Sequence, residues 1–332
     1  MSTRAEPAID LRPGEASAVA RAPRKRRFSR AVREAGLGYM LLLPAFLIFS
    51  VFVFYPFLRN FYLGFFSTPP FPGQPKNYVG LDQYKDVLSS SDFLDSLKTT
   101  ITFAIITVPI GIALGILLAV LAHQKLQGIA LYRTFFSSTV ATSIAVAAVI
   151  FGTLLSPQVG LLQGIQTEPS ILQNPSPLID INLPVIRSFI PSVSLTAVAV
   201  TTIWQNLGLS FILMSAGLQA VPDELQEAAE IDGAGPWRRF RAVTWPLLAP
   251  SLTINTVVLL ISAFKTYDYV KVITNGGPGS GATATIAFGV LQTGFDSNHV
   301  GYASAMAVVM LVIVAVLTTV VLNFLRRREV DL

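Results

Sequence analysis

The chain has 332 residues, 13% of them charged and 52% hydrophobic, with no cysteine and two histidines. Soluble domains carry charge on about a quarter of their residues. This composition therefore excludes an ordinary water-soluble globule, and equally a disordered, collagenous or disulfide-stapled chain. The formal net charge of +5 is local: residues 1–36 hold nine Lys/Arg against four acids, whereas 37–332 hold fifteen of each.

The first element in chain order is this basic tail, 1–36. Its first 23 residues, rich in Ala, Pro and charge, cannot bury enough apolar surface to order, so the tail is expected to be largely disordered. Arg24-Lys25-Arg26-Arg27, Arg30 and Arg33 stand directly before an apolar run. There a basic cluster orients the chain and meets lipid headgroups, and nucleic acid is not the expected partner. The run after it is longer than a signal-peptide core, and no small-residue cleavage pattern follows, which predicts a retained helix.

Six uncharged runs follow: Leu37–Leu58, Ile101–Ala122, Thr134–Leu155, Ser194–Val221, Pro246–Phe264 and Val300–Leu325. About 20 helical residues cross the hydrocarbon core, and helix satisfies its backbone internally. The expectation is an all-α multi-pass protein of the cell membrane with six spans. Gly281–Phe295, at 15 residues, is expected not to span. With the N-terminus inside, the cytoplasmic segments carry 17 Lys/Arg and the external ones seven. Basic residues favour the cytoplasmic side, so both termini are expected there. The predicted organisation is a basic tail (1–36), the first span with its external loop (37–93), a five-helix core (94–325) and a short cytoplasmic tail (326–332).

None of the six runs contains Asp, Glu, Lys, Arg or His. Proton-coupled transporters and intramembrane hydrolases commonly place such groups at membrane depth, and no acid–base or nucleophile–base pair can be nominated. His123 and His299 stand apart, so neither a catalytic nor a metal site is expected. Uncharged polar residues do occur. Asn206 and Ser210 lie four apart in the fourth run, and Asn255 and Ser262 lie seven apart in the fifth, each pair on one helical face. They are candidates for hydrogen bonding an uncharged polar solute. Their alternative role is to bond one helix to another.

Between the fourth and fifth runs lies 222–246, PDELQEAAEIDGAGPWRRFRAVTWP. Pro222 suits the first helical position, Asp223 and Glu224 the positive end of the helix, and Gly233 the position just past its end. Gly235-Pro236 opens a second short helix, which Pro246 is expected to stop as it opens the fifth span. Surface-lying amphipathic helices are usually basic. Five acids between Asp223 and Asp232 argue instead for a protein partner.

Glu227-Ala228-Ala229, then Asp232-Gly233, then Val243-Thr244-Trp245-Pro246 resembles the EAA loop of binding-protein-dependent ABC importer permeases of type I, with Trp245 where Leu is usual. The string from Glu227 to Ala234 is similar to the carbohydrate-uptake branch, the maltose and glycerol-phosphate permeases. So are Tyr55-Pro56, the stretch Val79-Gly80-Leu81-Asp82-Gln83-Tyr84, Gly217-Leu218-Gln219, Asn275-Gly276-Gly277-Pro278 and Gly301-Tyr302-Ala303. The resemblance covers 37–325. It implies that Glu227, Ala228, Ala229, Asp232, Gly233 and Pro246 form a coupling element that docks on a separate ATP-hydrolysing subunit, which holds ATP and Mg²⁺ while this chain binds no cofactor. It further implies a second related permease chain and an extracytoplasmic solute-binding protein. The expected cargo is a sugar or sugar-like solute. The alternatives are a non-sugar solute, or a secondary transporter. The chain has no G-x-x-x-x-G-K-[ST] of its own, so it is not the ATPase. The glycine-rich 275–281 lacks the following lysine and reads as a turn.

Overall fold

The computed structural model of the chain describes residues 25–69, 74–124, 128–156, 159, 170–179, 190–278 and 281–326. Most of the expected disordered tail, and Arg327 and Arg328 of the terminal basic run, lie outside the described residues. Two compact units are formed, 1–59 and 60–332.

In the first unit, helix α1 (Lys25–Phe49) runs into a π turn (Ser50–Phe54) and then α2 (Tyr55–Leu63). Helix is therefore already present at Lys25, ahead of the expected Leu37. Residues 25–36 are mostly Arg, Lys, Ala and Glu, all good helix formers, so the basic run is a helical extension of the first span. The π turn stands just before Pro56, whose missing N–H cannot close the ordinary turn.

The second unit, from Asn60, takes the end of α2 and continues into a two-stranded hairpin, β1 (Phe66–Ser67) and β2 (Asn77–Tyr78), pairing Phe66 with Tyr78 and Ser67 with Asn77. Helix α3 (Asp82–Ser89) follows, where Lys85 hydrogen bonds Asp82 and holds its carboxyl below the ordinary range. The long α4 (Ser91–His123) packs along α7 (Val193–Gln219), and α11 (Ala249–Phe264) and α13 (Val300–Arg326) complete the bundle. Phe93, Phe103, Val198, Phe264, Ile286 and Ala305 are among its buried centre. A second cluster, with Ala119, Phe211, Met214 and Leu248, fills the end near 222–246.

Two expected spans are built differently. The run Thr134–Leu155 is not one helix. It is α5 (Ile129–Ser137), a 3₁₀ turn (Ser138–Ala141) and α6 (Ile144–Leu154), bent by 100° at Thr142-Ser143. No proline lies anywhere in 129–154. Pro246, for its part, does not stop the second loop helix. Helical structure continues from α9 (Pro236–Arg239) through a π turn (Phe240–Thr244) and α10 (Trp245–Leu247), and the 68° bend falls at Leu248. Pro246 and Pro250 bracket that bend, and each removes one N–H from the ladder. Among the described residues, four helices are long and apolar enough to cross a membrane, or six segments with each bent pair taken as one span.

Gly281–Phe295 holds only α12 (Ile286–Leu291) and a π turn (Gln292–Asp296), too short to cross. Thr285 caps α12, its hydroxyl accepting from Phe288 N at 3.4 Å while donating to Thr266 O at 2.6 Å. Thr100 of α4 accepts from Ile286 N at 2.9 Å. In the preceding glycine-rich segment Asn275, Gly276, Gly277 and Gly281 are all at positive φ.

Candidate coupling elbow and solute path

The elbow forms because its two halves carry their own stop and start signals. Helix α8 (Asp223–Ile231) begins one residue later than expected: Pro222 is extended at ψ 132° and occupies the cap, with Asp223 and Glu224 in the first turn beside the positive helix end. Asp232 closes the helix and Gly233 takes φ +76°, a left-handed conformation that costs a glycine nothing. Gly233 N then donates to Glu230 O at 3.0 Å and Ala234 N to Ala229 O at 2.9 Å. These two bonds are the paired closure of a Schellman motif. Pro236 starts α9 after extended Gly235.

Two side-chain contacts fold the halves together. Gln226 donates to Thr244 Oγ1 at 2.8 Å, and Arg239 pairs with Glu230. Trp237 stacks on Phe240 with centroids 5.9 Å apart, and Phe240 tilts against Trp245. A cleft of about 360 Å³ separates this packing from the end of α4, lined by His123, Asp223, Gln226, Arg239, Phe240 and Thr244.

The outward face is mixed. Glu227, Ala228, Asp232 and Gly233 are exposed, and Ala229 and Pro246 are half-buried. Beside the acids stand Ile231 at 87% exposure and Trp237 at 74%. Acids interleaved with large apolar side chains suit neither water alone nor an anionic lipid surface. They suit a protein groove with apolar walls and basic rims. Gln226 was not singled out from the sequence. Its partner is 18 positions away, and no local pattern marks it.

The four candidate solute-path residues come together as two cross-helix pairs between α7 and α11. Ser210 donates to Asn255 Oδ1 at 3.1 Å, and both side chains are fully buried. Asn206 Nδ2 reaches Ser262 Oγ at 3.4 Å, and both residues are only half-buried. This geometry has the form of a helix–helix hydrogen bond in both pairs. Asn255 Nδ2 is left without a hydrogen-bond partner. A further polar residue on α7, Gln205, turns away from these pairs and meets the broken third span. Among the described residues, no cluster of three or more His, Cys, Asp or Glu could hold a metal ion.

Comparison with known proteins accounts for this architecture. The family described as "Binding-protein-dependent transport system inner membrane component" matches residues 88–330. The chain is 33% identical over 296 residues to the sn-glycerol-3-phosphate transport system permease protein UgpA of Agrobacterium fabrum, covering 88% of this chain and 95% of that one. It is 31% identical over 298 residues to the trehalose/maltose transport system permease protein MalF of Thermococcus litoralis, covering 90% and 96%. A chain from the crystal structure of a bacterial ABC transporter involved in the import of the acidic polysaccharide alginate shares the fold, with a TM-score of 0.72 at 21% identity over 91% of this chain and 99% of that one. The chain is a transport permease, not an enzyme, and it belongs to the binding-protein-dependent transport system inner membrane components.

Proposed function

We propose that this permease carries a sugar or sugar-like solute, received from an extracytoplasmic binding protein, and that ATP hydrolysis on separate subunits drives its passage through the elbow 222–246. The observation that carries the coupling reading is the elbow itself. It is a twice-pinned helical turn that exposes Glu227, Ala228, Asp232, Ile231 and Trp237 between two spans. The cargo class is supported by relatives whose names describe the transport of glycerol phosphate, sulfoquinovosyl glycerol and trehalose/maltose. ATP and Mg²⁺ belong to the partner ATPase subunits in this reading, and a second related permease completes the pathway.

Both termini lie in the cytoplasm in this proposal, because the partition of 17 basic residues to seven then follows the usual bias. The elbow then faces the ATPases. Within the path, Asn206 and Ser262 are placed to meet solute directly, since both are half-buried. Ser210 and Asn255 reach it only when α7 and α11 part, because both are fully buried against each other.

The test is the ATPase activity of the reconstituted complex with its binding protein, measured across a panel of glycerol phosphates, disaccharides, amino acids, phosphate and polyamines. Stimulation by a sugar or sugar phosphate is expected. Stimulation by an amino acid, phosphate or polyamine alone would replace the cargo assignment.

A further inference from the structure

The third span is broken by 100° with no proline to kink it in 129–154. The local residues Ser137-Ser138-Thr139-Val140-Ala141-Thr142-Ser143 are only modest helix formers. A break at membrane depth frees backbone carbonyls that lipid cannot satisfy, and each one left unpaired is costly. The segment holds some of them itself: Ser137 Oγ donates to Thr134 O at 3.2 Å, Ser138 Oγ to Phe135 O at 2.7 Å, and Thr142 N to Thr139 O at 3.1 Å.

The carbonyl of Thr142, and a second bond to that of Thr139, fall to α7. Gln205 Nε2 donates to Thr142 O at 2.8 Å and to Thr139 O at 3.2 Å, so one amide nitrogen spends both its hydrogens on the break. One turn on, Gly208 N donates to Thr139 Oγ1 at 3.0 Å. A Cβ at Gly208 would collide with that hydroxyl and would lie 2.9 Å from Phe136 O. Trp204 meets Phe151 of α6 with ring centroids 5.2 Å apart. Three near neighbours on one helix thus grip the half before the break, the break, and the half after it. Helix α7 then runs on for about 20 Å from Gln205 to its end at Gln219, and three residues later the elbow begins.

We infer that Gln205 is a positioning residue: it imposes the broken form of the third span and ties that break to the helix that ends in the elbow. Motion of the elbow along α7 is delivered to Thr139–Thr142 through the Gln205 amide. The second half of this inference rests on the coupling role proposed above. The first half does not.

The native chain has no cysteine, so paired spin labels need no background substitutions in this subunit. Leu131 on α5 and Val149 on α6 are both exposed. With ideal helical rise they lie roughly 27 Å apart along a straight helix and roughly 18 Å apart across a 100° bend. The experiment measures this distance in the full complex in membranes, nucleotide-free and with vanadate-trapped Mg·ATP, for the native residue and for Gln205→Met, which keeps the length and removes the donors. The short distance is expected with Gln205, together with a shift of several ångström on trapping. Gln205→Met is expected to lengthen or broaden the resting distance toward the straight value and to abolish the shift. A resting distance and a shift unchanged in Gln205→Met would overturn the inference. If that variant does not assemble, Gln205→Asn, which keeps the amide but cannot span both carbonyls, decides by the same two readouts. A native complex whose distance ignores nucleotide overturns the transmission half of the inference, and the coupling role of the elbow is then judged separately by transport per ATP in Glu227→Lys. In that event the resting distance alone judges Gln205.

Discussion

The third and fifth spans are both bent, by 100° and 68°, and they reach that state by opposite routes. The fifth carries its own cause. Pro246 and Pro250 bracket Leu248, a π turn precedes Pro246, and the missing N–H groups lie within the bent segment itself. The third has no such residue, and its break is held by Gln205 and Gly208 from another helix, more than sixty positions away. One bend is written locally and the other is a packing decision. In a membrane this difference is physical: a locally coded bend persists when neighbours move, whereas a bend held by a partner follows that partner.

The comparison can be broken most severely at Gly208. Gly208→Leu puts a side chain where Thr139 and Phe136 already sit, and overpacking of this kind costs on the order of 3 kcal/mol. The expected outcome is loss of assembled complex, read as abundance and thermal stability in detergent. Normal stability would show that the third span can part from α7 without penalty.

Next in size is uncoupling at the elbow. Glu227→Lys reverses a charge on the outward face, and Gly233→Pro cannot adopt the left-handed turn at φ +76° that closes α8. Both are expected to insert normally yet lose at least about tenfold in transport per ATP hydrolysed, a factor that corresponds to roughly 1.4 kcal/mol. Native coupling in both variants would take the elbow out of the mechanism.

The local origin of the fifth bend makes a narrower prediction. Pro246→Ala with Pro250→Ala restores two N–H donors, so the 68° angle should open. Spin-label distances between positions before Trp245 and after Thr253 report it. The third span has no equivalent substitution within itself.

The two polar pairs between α7 and α11 should separate as well. Asn255→Leu removes a fully buried bond and is expected to lower assembly, whereas Asn206→Leu, at a half-buried site, is expected to spare assembly and lower uptake per complex. Each is worth on the order of 1–2 kcal/mol, or about tenfold in the quantity affected. Unchanged uptake per complex in Asn206→Leu would retire Asn206 from the solute path.

Features coded within a few residues were legible in the sequence. The number of spans follows from uncharged runs of spanning length, and the short Gly281–Phe295 piece follows from the same arithmetic. The Schellman closure at Gly233 follows from a glycine just past a helical stripe, and the start of α9 from Gly235-Pro236. Errors at the edges came from equally local competition. Helix-forming Arg, Lys and Ala carried α1 back to Lys25, and the helix ran through Pro246 because proline is tolerated where a wider turn precedes it.

Only the tertiary structure decided which polar groups meet. Gln205 and Thr142 are 63 positions apart, Ser210 and Asn255 are 45 apart, and Gln226 and Thr244 are 18 apart. No periodicity connects such residues, since helical phase gives a face but not the neighbour opposite it. The third span shows the consequence most clearly. Its sequence reads as one continuous helix, because no proline marks the break. The amide of Gln205, the space left by Gly208 and the ring of Trp204 offer the backbone a second solution, and the packed bundle takes it.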